Sequence, residues 1–89
     1  MVRDELQQAS DDLRKAAELV DEETQKRLHD QSQQLATLAT RDNDPDHGRL
    51  DRHMNALHEL AGQLDGEAEE LVRSARESVK EYRKTVPGV

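Results

Sequence analysis

Cysteine is absent from this 89-residue chain, as are phenylalanine and tryptophan, and Tyr82 is the one aromatic residue. Without thiols there are no disulfides and no thiolate metal sites, and nothing marks the redox compartment. With a single aromatic, the core must come from Leu, Val, Ala and Met. Hydrophobic residues reach only 33%, against 37% charged. Such a core is thin, and thin cores are often completed by association. No stretch approaches the roughly 20 apolar residues of a membrane span. Met1-Val2-Arg3-Asp4-Glu5 is charged where a signal peptide would carry its apolar run. The expected setting is therefore soluble and cytoplasmic.

Catalytic patterns are missing as well. There is no Gly-x-Ser-x-Gly elbow and no phosphate-binding glycine loop. The acidic residues fall mainly where helical patterning places solvent, so no enzyme activity and no cofactor are expected. Basic residues are dispersed among acids, and with no stacking aromatics they give no nucleic-acid-binding stripe. Pairs such as Glu22 with Lys26 sit at the helical ion-pair spacing instead.

What is present is periodicity. A shift of 44 residues lays Leu6 on Leu50, Leu13 on Leu57, Ala17 on Ala61, Asp21 on Asp65 and Glu23 on Glu67. One helical unit is used twice. The 3, 4, 3, 4 spacing of apolar residues predicts four amphipathic helices over 3–20, 22–40, 45–64 and 67–85. The third has the cleanest stripe, through Leu50, Met54, Leu57, Ala61 and Leu64. The periodic stripe also argues against disorder, which the low hydrophobicity would otherwise suggest.

Boundary signals differ in strength. Asp44 is placed to cap the third helix, with Pro45 in its first turn. Asp65-Gly66 is followed by the acidic first turn of Glu67, Glu69 and Glu70. Asp21 to Thr24 gives an acidic start without glycine. The expected fold is all-α, a single domain forming a small antiparallel up-down-up-down bundle of two similar hairpins. These occupy 3–40 and 45–85, with a linker at 41–45 and a frayed tail at 86–89. The apolar phase also fits two long helices whose hairpin would dimerise. Gly62 and Gly66 argue for breaks, since each costs a helix ~1 kcal/mol relative to Ala.

Candidate site residues lie where the halves differ, from Asp44 to His58. Counted from Asp42, the acidic turn fails as a calcium loop, because His47 and His53 stand where Gly and Glu are required. His47 and His58 are about 16 Å apart along a helix, too far to share one ion. A metal held by His47, His53, His58 or Asp46, or bridged across helices to His29, is the minor reading. Gln31 interrupts the second helix's apolar face between Leu28 and Leu35, where a polar residue can set register or partner choice. Gln31, His53 and His58 are thus the candidate specificity residues. The leading function is a small helical adaptor or regulator that binds a protein partner or a second copy as a homodimer. A small ligand- or metal-binding protein is the alternative.

The formal net charge of −7, with nine Arg and only four Lys, is the composition of a salt-adapted protein, although charge at this level also simply favours solubility. The run Lys26-Arg27-Leu28-His29, then Gln34-Leu35-Ala36-Thr37-Leu38-Ala39, Arg41-Asp42 and Pro45-Asp46-His47-Gly48-Arg49-Leu50 resembles a family of small uncharacterised helical proteins from halophilic archaea. The ending Glu81-Tyr82-Arg83 and Val86-Pro87-Gly88-Val89 is similar to theirs. The resemblance implies a salt-rich cytoplasm and supplies no activity, ligand or site residue.

Overall fold

In the computed structural model, which describes residues 3–41 and 43–87, four helices run in order: α1 (Asp4–Ala17), α2 (Glu22–Thr40), α3 (His47–Gly62) and α4 (Gly66–Arg83). The two long helices of the alternative reading are thereby replaced by four short ones. The break between α1 and α2, the weakest in sequence, is firmly made: the Asp21 carboxylate accepts the Thr24 amide at 2.8 Å. That bond satisfies one of the amides a helix start leaves unpaired. Between α3 and α4, Gly66 adopts φ +60°, a backbone conformation that a side chain would oppose.

The cap of α3 differs from expectation. Asp46, not Asp44, accepts the Arg49 amide at 2.7 Å, and Pro45 is buried just before the helix. Asp44 is engaged elsewhere, by Arg3 and Tyr82. The tail is also better held than expected. Val86 packs partly against the core, its amide bonds Arg83 O at 3.1 Å, and its carbonyl meets His47 Nε2 at 2.9 Å. Asp42, at the head of the acidic turn, and Gly88 and Val89 of the tail lie outside the described residues.

Each helix buries the stripe its spacing defines. Leu6, Leu13, Leu28, Leu35, Leu50, Leu57, Val72 and Val79 are fully enclosed. Leu60, not part of the predicted stripe, is buried too, whereas Met54, Leu64 and Leu71 stay at the edge. On the surface, the helical ion pairs are Glu69–Arg73, Asp11–Arg14 and Glu81–Lys84, not Glu22–Lys26. Such solvated pairs contribute tenths of a kcal/mol each.

Adjacent helices run antiparallel. Arg3 N bonds Ala39 O, Ser10 pairs with Ser32, and Gln25 Nε2 donates to Ala17 O, all in one α1–α2 register. At the centre of that register Ser10 and Ser32 are both buried, and each hydroxyl donates to the other's backbone carbonyl, at 2.9 and 3.0 Å. Two small residues let these helices approach closely. The equivalent pair in the second hairpin, 44 positions on, is Met54 and Arg76, and there Arg76 Nε donates to Met54 O at 3.2 Å. The duplicated frame therefore keeps its register while changing the chemistry that joins it.

Packing around the bundle is uneven. Helix α1 lies close against α2 and α4, and α4 against α3, but the backbones of α2 and α3 stay apart.

Candidate functional site

The open α2–α3 seam is where sequence-predicted and structural features meet. By the 44-residue equivalence, α3 against α2 is the counterpart of α1 against α4. On the close seam the central positions are Ala9 and Ala75, both fully buried. On the open seam the same positions hold His53 and Gln31. Helix separation follows the side chains at the contact, so two large polar residues hold apart what two alanines let close.

These residues also bridge the gap. His53 Nδ1 lies 2.7 Å from Gln31 Oε1, and one end of the seam is crossed again by Arg27 Nη1 donating to Gln63 Oε1 at 3.1 Å. With Gln31 offering its carbonyl oxygen, Nδ1 carries the proton, and the neutral ring keeps Nε2 as an acceptor. Burial, followed by the nearby charge of Arg49, holds the His53 pKa below its ordinary 6.5, against a smaller opposing pull from Asp30. His53 is 6% exposed, so the neutral ring is the form this seam accommodates.

Towards the end of α2 the seam widens into a groove of about 330 Å³ lined by Gln33, Gln34, Thr37, Leu38, Arg41, Arg49 and His53. A smaller recess beside it, of about 130 Å³, adds Gln31 and Arg52. Among the described residues no carboxylate lines either one. Asp30 and Asp46 border the seam, but Asp30 accepts Gln34 Nε2 at 2.9 Å and Asp46 caps α3.

At that same end a second cluster fixes the bundle. The Arg3 guanidinium donates to the carbonyls of Leu38 and Arg41, to Asp44 Oδ1 at 2.7 Å and to Tyr82 OH at 2.7 Å. One side chain thus closes the carbonyl end of α2, the linker and the end of α4 together. The hydrogen bond from Arg3 holds Asp44 below its ordinary 3.8, while burial pushes the Tyr82 phenol above 10.0. Sequence reasoning missed this cluster. Arg3 read only as part of a charged N-terminal stretch and Asp44 as a helix cap, and no local pattern brings residues so distant in sequence to one point.

The other candidates do not converge. His47 is tied to the Val86 carbonyl, and His58 is exposed. His29 shares a surface hollow with Gln7 and Arg14, on the α1 side of α2 and away from His53. Among the described residues no three His, Asp or Glu side chains are grouped to hold a metal ion, and no helix is long and apolar enough to cross a membrane. Of the predicted site residues, only Gln31 and His53 meet.

Fold and seam together define a small antiparallel four-helix bundle, duplicated in sequence, with three close helix contacts and one held open by polar side chains. A family model covers nearly all of it. The chain belongs to a family of unknown function (DUF7553), matched over residues 1–85. Neither the curated proteins nor the solved structures contain a match.

Proposed function

We propose that this protein is a non-enzymatic helical interaction module, working in a salt-adapted cell, that binds a protein partner through the outer face of α2 beside the open seam. The observation that carries this reading is a ten-residue run, Gln31 to Thr40, without one charged side chain, in a chain that is 37% charged. Within it Gln33, Gln34, Thr37 and Thr40 are exposed. It is the longest uncharged stretch of the sequence. Depletion of charge is the compositional mark of an interface centre, because a charge buried by a partner must be desolvated. A face meant only for solvent would resemble α4, whose outward positions carry Glu70, Glu77, Lys80 and Glu81. The non-enzymatic part of the reading rests on the sequence, which holds no nucleophile–base pattern.

The test compares wild type with Gln33→Glu/Thr37→Glu as baits in native extract at high salt, with molar mass in solution measured at low and high salt. A partner or second copy held by wild type and released by the double variant supports the proposal. Strictly monomeric protein with identical captures for both baits sinks it.

A further inference from the structure

The groove at the α2–α3 seam has a chemistry that the interaction reading does not use. We propose that it is a binding site for a small multivalent oxyanion, a phosphate or a short dicarboxylate, held chiefly between Arg41 at the end of α2 and Arg49 in the first turn of α3.

Charge distribution is the first support. The chain carries 20 acidic residues and a net charge of −7, yet among the described residues no Asp or Glu lines the groove or its neighbouring recess. Among the described residues, Arg3, Arg14, Arg73 and Arg83 each pair with a carboxylate, Arg27 and Arg76 donate to the Gln63 side chain and the Met54 carbonyl, and Arg41, Arg49 and Arg52 make no ion pair. Two of these guanidinium groups, on Arg41 and Arg49, line the groove and the third, on Arg52, the recess beside it; like charges so placed repel one another, and a bound anion offsets that repulsion.

The helix ends add no net charge of their own. The groove opens beside the start of α3, the positive pole of that helix. The opposing pole, the carbonyl end of α2, is covered by Arg3 through Leu38 O and Arg41 O. Both poles are already met by side chains, that of α3 by Asp46 and that of α2 by Arg3, itself paired with Asp44, so the positive field at this end of the seam is that of Arg41, Arg49 and Arg52.

Geometry is the second support. Guanidinium groups match carboxylate and phosphate oxygens with paired N–H donors, and Gln33 adds a further donor to the lining. A volume of about 330 Å³ sits at the small end of ligand sites and suits a compact anion. His53 closes the floor, facing Asp30 and Gln31 of α2 and Arg49 of its own helix. An anion beside its ring raises the proton affinity of that ring, giving the site an internal reporter.

The experiment is an NMR titration of the full chain with inorganic phosphate, with succinate and with chloride at matched ionic strength, following backbone amides and the His53 ring. The expected result is saturable shifts at Thr37, Arg41, Arg49 and His53 with the two dianions only, and an upward move of the His53 midpoint. Arg49→Gln is expected to weaken binding by about tenfold, the loss of one charge-assisted contact, while Arg14→Gln on α1 leaves it unchanged. Shifts equal to those of chloride, or saturation indifferent to Arg49→Gln, overturn the proposal. So does binding of a glutamate-rich peptide with none of either small anion, which would assign the groove to an acidic partner segment. Gln33 and Thr37 line the groove, so the α2 charge variant disturbs both readings; Arg49→Gln, which leaves the uncharged α2 face intact, separates them, because it weakens anion binding without releasing a protein partner.

Discussion

His53 Nδ1 and Gln31 Oε1, 2.7 Å apart, join the two helices of the bundle that do not otherwise pack closely. They stand where the opposite seam has Ala9 and Ala75. The pair is a spacer as much as a bond, and the two roles separate on mutation. Gln31→Ala removes the bond and leaves His53 in place, at a cost of about 1 kcal/mol. Replacing both residues, Gln31→Leu with His53→Leu, removes the polar groups and fills the seam. Urea unfolding of the double variant is expected at or above the wild-type midpoint. A double variant weaker than either single one would show that the pair is not a replaceable spacer.

The same histidine sets a pH dependence whose sign follows from its displaced pKa. Folding holds His53 below 6.5, so on acidification the unfolded chain takes up this proton first. Its contribution is complete above about 6.5 and is lost as pH falls through the folded value. Urea midpoints of wild type should decline between roughly pH 7 and 5, and those of His53→Gln should decline less in that window. A separate loss is expected below 3.8, where Asp21 and Asp44 protonate, each held low chiefly by a hydrogen bond, from Thr24 and Arg3 respectively.

Arg3 is expected to be the most sensitive charged position. Its guanidinium spans acceptors on α2, the linker and α4, and a lysine ammonium cannot reach them together. Arg3→Lys should therefore lower the melting temperature nearly as far as Arg3→Ala. Amide exchange should quicken first at the end of α2, around Ala39 and Thr40, while Val72 in the middle of α4 stays protected. Full rescue by lysine would show that charge alone matters there.

Between α1 and α2, Ser10 and Ser32 are buried and doubly bonded. Ser10→Ala should cost about 1 kcal/mol, the loss of one buried hydroxyl's bonds. Ser10→Val should cost more, roughly 1–3 kcal/mol, because extra methyls force the close helices apart. Thermal unfolding of the two variants decides the order. Equal losses would mean that close approach is not the constraint.

Helix number, the buried faces and the internal repeat were legible in the sequence because they are local. Leu50, Leu57 and Ala61 fall on one face by spacing alone, whatever packs against them. Asp21 and Asp65 likewise stand where their helices start. The cap of α3 was misread because Asp44 and Asp46 are chemically equivalent candidates, and the choice fell to the distant Arg3 and Tyr82, which hold Asp44. Gln31 and His53 could be singled out separately, as a polar break in an apolar stripe and a half not repeated. Their meeting could not be read, since the residues lie in different helices and only the bundle brings them together.

The sequence by itself settled that this is a duplicated, acidic, all-helical chain, because periodicity and capping act within one helix at a time. Only the tertiary structure decided which of the four seams would close. Small residues drew α1 against its neighbours, and large polar ones held α2 from α3. That brought Arg41 and Arg49 to a groove, and Arg52 to the recess beside it, with no carboxylate among the described residues of either lining, a placement set by packing between helices and not by the pattern along any of them.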